Sequence, residues 1–306
     1  MKNKSRESES LKVSISNSKN LQKNDSLILL SPSDEGVMRN GGRNGTRYAP
    51  KSLLAVLSKF NNHSFKSEQI KAITVTTSKK EQKDFNKAQK ECSNTINSII
   101  DDKNIKNIIH IGGGHDQILP LLMAIEKQQT TKNILIINID AHCDTRIDDN
   151  RHSGTPFRNF SEISIKPTHL IQYGIQKQAN SKTTLTNLEN ITSEHFNIID
   201  LKKKTQNFSK VPEDILLSTP FEIDKDTKIV ISLDCDAIDS SEMQAVSAVN
   251  GDGLPYNHVA SLITYIKNIK QASKYFGIYE FNPVYDNINQ AGARKISTLI
   301  YNYLGN

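Results

Sequence analysis

The chain has 306 residues, 36% of them apolar, and a formal net charge of +6 from 39 basic and 33 acidic side chains. That length supports one large α/β domain or two smaller ones, and the scattered lysines lack the basic stripe with interleaved aromatics of a nucleic-acid binder. Cys92, Cys143 and Cys235 form no CxxC pair or disulfide framework, the polar N-terminus has no secretory apolar core, and no run nears the ~18 apolar residues of a membrane span. The expectation is a soluble, cytoplasmic protein with neither nucleic acid nor membrane as partner.

Residues 1–24 show no apolar periodicity and are expected to be a disordered lead-in to a single domain over 25–306. Short Ile/Val/Leu runs at 26–30, 71–76, 107–111, 133–139, 168–172, 228–233 and 275–281 read as strands. Several are continuously apolar, which suits burial on both faces. Helical patterns fall at 50–60, about 80–100, 116–128, 257–270 and 289–304. This alternation predicts a mostly parallel sheet covered by helices. The polar stretch from about 176 to 225 reads as an excursion within the same domain, with Lys202–Lys203–Lys204 as a solvated turn.

Ligand sites in such sheets lie beyond the carboxyl ends of the strands, and three acid/His clusters fall there. Gly112–Gly113–Gly114–His115–Asp116 follows the run at 107–111; its glycines permit a sharp turn that delivers His115. A phosphate loop or a plain turn is the alternative, although neither GxGxxG nor GxxxxGKS is present. Asp140, His142 and Asp144 follow the run at 133–139 and share one side if the segment is extended. Buried together without a cation, they would repel or stay unsatisfied; the bland alternative is a surface turn. Asp234 and Asp236 follow the run at 228–233, where a helix N-cap or a nucleotide–Mg site is the competing reading.

Together the clusters offer two imidazoles and four aspartates, a donor set suited to Mn²⁺ or a similar ion. Four carboxylates balance two divalent cations, so the count points to a pair. Such a pair lowers the pKa of a shared water toward ~7 and makes a hydrolytic site. Cys143 and Cys235 sit between these ligands; extended alternation turns them away, as packing residues rather than redox groups.

These motifs, with SGTPFR at 153–158 and EFNP at 280–283, resemble the ureohydrolase family of arginases, agmatinases and formimidoylglutamases over about residues 32–286. SDEGVMRNGGRNG at 33–45, Arg146 and the 153–158 run look most like the formimidoylglutamase branch. The resemblance implies a three-layer α/β/α domain with a mostly parallel sheet of about eight strands, two Mn²⁺ ions and a homo-oligomer. It implies that Asp140 and Asp234 bridge the metals, that His115 and Asp144 complete one shell, and that His142 and Asp236 complete the other. Asp144 would also orient the attacking hydroxide, and Glu280 would face the cationic substrate head.

The implied reaction is hydrolysis of N-formimidoyl-L-glutamate to L-glutamate and formamide, a step of histidine degradation. Arginine, agmatine or a guanidino acid is the alternative substrate. Arg146, Arg151 and Arg158 offer cations to an acidic tail, with surface ion pairing as the plainer role for each. Arg146, Ser153, Arg158 and Glu280 are the expected substrate contacts. Two departures stand out: residues 239–247 lack the family's prolines and glycine, and Ser153 stands where arginases and agmatinases have His, with His152 beside it. The altered loop motivates a reading of another class, a non-catalytic member with a structural or regulatory role. A dinucleotide binder using GGGHD is the remaining alternative, without the fingerprint spacing it needs.

Overall fold

The computed structural model describes residues 10–16, 21, 26–63, 65, 70–100, 105 and 107–305. Among the described residues, nine parallel strands make one sheet in the order β1-β3-β2-β4-β9-β8-β5-β6-β7. They are β1 Val13–Ile15, β2 Ser26–Ser31, β3 Ile70–Thr74, β4 Asn107–Gly112, β5 Asn133–Ile139, β6 Thr168–Ile175, β7 Thr192–Asn197, β8 Thr227–Asp234 and β9 Ser273–Tyr279.

The strands β2, β5, β6 and β8 are buried at every residue, and β4 and β9 at all but their first one or two. Because side chains alternate between faces, continuous apolar runs supply two cores. Ile28, Ile109, Leu135 and Ile229 pack with the helices Ala49–Leu57, Tyr256–Lys267 and Ala291–Leu304 on one face. Leu27, Ile108, Ile134 and Val230 pack with Phe85–Ile100 and Ile118–Lys127 on the other. The result is the expected three-layer α/β/α arrangement.

Several details differ from the sequence expectation. The strands β1 and β7 were not expected; both lie at sheet edges, and their half-exposed residues carry no apolar run. Val13–Ile15 therefore give structure to part of the stretch expected to be a disordered lead-in, while residues 1–9, 17–20 and 22–24 lie outside the described residues. The helix expected over about 80–100 divides into Ser78–Glu81 and Phe85–Ile100, because the Asp84 carboxylate accepts the Lys87 amide at 3.0 Å and starts a new helix. Lys202–Lys203–Lys204 close the helix Ile198–Lys204 rather than forming a turn, at the end where cations complement the helix dipole.

Register decides where the chemistry sits. Ile111 lies beside Ile278, Asp234 beside Tyr279, and Ile139 beside Leu233. The residues that follow β4, β9, β8 and β5 therefore emerge side by side at the carboxyl edge of the sheet.

Candidate metal centre

Each cluster is set by a local turn at a strand end. After β5, Asp140 Oδ1 accepts the His142 amide at 2.7 Å, and Asp144 takes a left-handed φ of 51°. After β8, Asp234 Oδ1 accepts the Asp236 amide at 2.8 Å and opens a short turn over Cys235–Ala237. These turns replace the extended alternation expected from the sequence. Side chains one residue apart are thereby sent to different neighbours. Cys143 and Cys235 are buried free thiols, and burial raises the pKa of each.

After β4, the glycines serve chain packing. A Cβ on Gly113 would lie 1.8 Å from the Ser33 carbonyl oxygen, and one on Gly114 2.4 Å from Asp116 Oδ1. Neither leaves space for the phosphate approach of a dinucleotide loop. The Glu280 amide donates to the Gly113 carbonyl at 2.8 Å, and Glu280 Oε1 accepts the His115 amide at 3.0 Å. Glu280 is itself in the left-handed region, with φ 59°.

The six expected ligands converge into two groups. Ligand atoms of His115, Asp140, Asp144 and Asp234 lie within 4.8 Å of one another, as do those of Asp140, His142 and Asp236. Asp140 belongs to both groups, while Asp234 falls in the first. His115 Nδ1 lies 2.9 Å from Asp144 Oδ2 and 3.2 Å from oxygens of Asp140 and Asp234. His142 Nδ1 lies 3.1 Å from Asp236 Oδ2.

The electrostatics are those of buried carboxylates crowded around two imidazoles. Burial and the neighbouring Asp236 and Asp140 push Asp234 well above the usual carboxylate range. The Asp236 carboxylate raises His142 far above an ordinary imidazole. Burial works against protonating His115, but Asp140, Asp144 and Asp234 outweigh it and hold its pKa high. His115 Nδ1 and Asp236 Oδ1 are nevertheless buried without a hydrogen-bond partner. Orphaned polar atoms of this kind call for a ligand, and a ring of carboxylates with two imidazoles fits a pair of divalent ions.

A polar and aromatic frame fixes the His115 ring. Its Nε2 lies 2.7 Å from Ser232 Oγ; in the neutral ring that a metal ligand requires, donation from that nitrogen leaves the lone pair on Nδ1. Tyr279 stacks on the ring at 5.0 Å and 20°, and Phe157 meets it edge-on at 5.6 Å. The Tyr279 hydroxyl lies 3.0 Å from His110 Nδ1, and His110 Nε2 lies 2.7 Å from Ser31 Oγ. Burial pushes His110 down to about 3, so it stays neutral.

The centre opens into a cleft of about 260 Å³ lined by His142, Asp144, Asp234, Asp236 and Glu280 below and by Asn40, Arg43, Arg146, Ser153 and Ser247 above. Burial pushes the Glu280 carboxyl up to about 8, against the hydrogen bond from the His115 amide. Arg146 donates to Asn40 Oδ1 at 2.6 Å, and Asn40 Nδ2 donates to Ser153 Oγ at 3.0 Å. The structure does not bring Arg158 or Arg151 to this cleft. Arg158 is buried and donates to the carbonyls of Thr145 and Asn187 and to Thr186 Oγ1, which fixes the wall instead. His152 is also turned away, its Nδ1 accepting the Gly154 amide. Sequence reasoning missed Arg43, Asn40 and Ser247 as cleft residues; the glycines flanking Arg43–Asn44 were the available signal.

A sequence model of the Arginase family matches residues 24–305. The chain belongs to the Arginase family. Among its relatives, the formimidoylglutamase of Enterobacter sp. (strain 638) is 26% identical over 279 residues, covering 88% of this chain and 82% of the relative. That of Salmonella schwarzengrund (strain CVM19633) is 28% identical over 273 residues, covering 87% and 80%. Similar solved structures include formimidoylglutamase from Bacillus subtilis subsp. subtilis str. 168, with a TM-score of 0.77, 19% identity, and 95% and 89% of the two chains covered. Trypanosoma cruzi formiminoglutamase with Mn²⁺ has a TM-score of 0.75 and 21% identity, with 93% and 95% covered. At these identities the solved structures speak to the arginase-family fold.

Proposed function

We propose that this arginase-family protein hydrolyses N-formimidoyl-L-glutamate to L-glutamate and formamide, using two Mn²⁺ ions held by His115, Asp140, Asp144 and Asp234 and by Asp140, His142 and Asp236. The resemblance adds Asp234 to the shared ligands. One observation carries the reading above the others: His115 Nδ1, buried with no hydrogen-bond partner, lies within 3.2 Å of three strand-end carboxylates, two of which, Asp144 and Asp234, line the arginine-rimmed cleft. The names of the relatives supply the substrate.

Bound there, divalent cations lower the pKa of a coordinated water toward ~7 and stabilise developing negative charge. The protein's own groups orient the rest. Glu280, which burial keeps protonated in the free cleft, ionises against the cationic amidine head and gives it the anion that a cluster already neutralised by metals would not supply. Asp144 borders both the cluster and the cleft, and it orients the water and accepts its proton. Addition of the water oxygen to the formimino carbon, cleavage of the bond from this carbon to the glutamate nitrogen and transfer to that nitrogen of the proton taken by Asp144 release glutamate, and loss of the remaining hydroxyl proton leaves formamide. At the mouth, Arg146 and Ser153, joined through Asn40, receive a substrate carboxylate.

Mn²⁺-loaded protein offered formimidoylglutamate, arginine, agmatine and guanidinobutyrate should release formamide and glutamate from the first alone. Urea release without formamide would overturn this choice of substrate. The proposal includes one functional domain over 25–306, a homo-oligomer and a cytoplasmic setting. No helix among the described residues is long and apolar enough to cross a membrane.

A further inference from the structure

The departure at residues 239–247 has a structural counterpart in Arg43. The Arg43 amide donates to Ser247 Oγ at 2.8 Å, Nε donates to the Ser247 carbonyl at 3.0 Å, and Nη2 donates to the Val246 carbonyl. The guanidinium plane lies over the Tyr285 ring, 3.8 Å from its centroid. Gly42 permits this seat, since a Cβ there would fall 2.7 Å from Val37 and 2.9 Å from Ser247 Oγ. An exposed arginine held by three hydrogen bonds and one aromatic face is preorganised, and its entropy is largely spent before any ligand arrives.

The same loop is stitched to the strand end that carries Glu280. Val246 bridges to Phe281, the Asn282 amide donates to the Ala245 carbonyl at 2.7 Å, and Asn282 Nδ2 donates to the Asn44 carbonyl at 2.9 Å. One connected unit therefore sets both Glu280, at the floor, and Arg43, at the rim. Arg146 lines the same cleft and is held by the side chain of Asn40, on the turn that precedes Arg43. Two guanidinium groups, each fixed by its own side-chain and backbone partners, around an acidic floor match a ligand with one cationic head and two carboxylates. A neutral or singly anionic amidine would leave one arginine unmatched.

We infer that Arg43, positioned by Ser247 and Tyr285, binds the second carboxylate of the substrate and makes the cleft selective for dicarboxylic amidines. This rests on the amidine-hydrolase reading and extends it to a residue and a loop. In a bidentate arginine–carboxylate pair the charge and the fork geometry both count, so Arg43→Lys falls short of full function.

The test compares wild type, Arg43→Ala, Arg43→Lys and Ser247→Ala, each Mn²⁺-loaded and checked for metal content. The substrates are formimidoylglutamate and two analogues lacking either the α- or the γ-carboxylate. Arg43→Ala should raise KM for the dicarboxylate about 30-fold or more, with a much smaller change in kcat. It should leave KM almost unchanged for one of the two monocarboxylates, the one missing Arg43's partner. Arg43→Lys and Ser247→Ala should give intermediate KM values. Equal losses on all three substrates, or an unchanged KM for the dicarboxylate, would overturn the assignment. Calorimetric binding of L-glutamate supplies a readout independent of turnover: Arg43→Ala should weaken it at least 10-fold. If formimidoylglutamate is not hydrolysed at all, the substrate proposal fails, and this binding comparison still decides the role of Arg43.

Discussion

Ser232 shows how a residue outside the ligand set can govern the centre. It lies two positions before Asp234 on β8, fully buried, with its hydroxyl 2.7 Å from His115 Nε2. Without that partner the imidazole loses the interaction that keeps Nδ1 as the lone-pair nitrogen aimed at the carboxylates. Groups that orient a metal-binding histidine commonly account for 10–100-fold in affinity. Ser232→Ala should therefore weaken Mn²⁺ binding by about that factor while circular dichroism stays unchanged. Titration with Mn²⁺, following free ion by electron paramagnetic resonance, measures it. An unchanged binding curve would show that Tyr279 and Phe157 suffice to hold the ring.

At the scale of elements, β4 and β9 make space for that ring stack. A Cβ on Gly277 would lie 2.4 Å from the Tyr279 hydroxyl, and one on Gly112 would lie 2.6 Å from the Tyr279 ring. Gly277→Ala must push Tyr279 off His115 or displace β9. Such overpacking typically costs about 1–3 kcal/mol; a urea denaturation midpoint equal to that of wild type would reject the idea that the tyrosine fits only against glycine. The central strands and long helices were legible because continuous Ile/Val/Leu runs and amphipathic spacing mark them directly. The edge strands were not, since Val13–Ile15 and Thr192–Asn197 are half-exposed and bury too little to show a pattern. The ligand types were legible for the same local reason: His and Asp at strand ends are visible one motif at a time. Their turns are local, closed by carboxylates accepting amides two residues on, but alternating spacing reads equally well as extended chain. The role of Arg43 and the withdrawal of Arg158 into the wall depend on contacts made across more than a dozen residues of chain, which spacing does not encode.

For the whole molecule, the centre carries a cost that should appear in its pH stability. Behind Glu280 lie two further buried carboxyl groups, Glu81 and Asp116, both receiving hydrogen bonds from Gln117 Nε2, at 2.8 and 2.6 Å; Ser33 Oγ also donates to Glu81. Burial, reinforced by the Asp116 charge, pushes Glu81 from an ordinary 4.5 up to about 8. Burial, with Glu280 adding to it, raises Asp116 to about 7. A carboxyl group raised in this way keeps its proton in the native protein after the unfolded chain has released it. The folded state then binds more protons, so stability falls as pH rises from about 4.5 through about 8 and the penalty is complete above that. One such proton contributes a slope of at most about 1.4 kcal/mol per pH unit. Glu81→Gln keeps the shape and an acceptor for Gln117 but has no proton to lose. Its unfolding free energy should therefore decline less steeply than that of wild type between pH 5 and pH 8, by up to about 1.4 kcal/mol per pH unit. Urea unfolding at several pH values across this window gives the comparison. Parallel curves for the two proteins would mean that Glu81 is already ionised in the fold, and that Ser33 and Gln117 stabilise its charge rather than its proton.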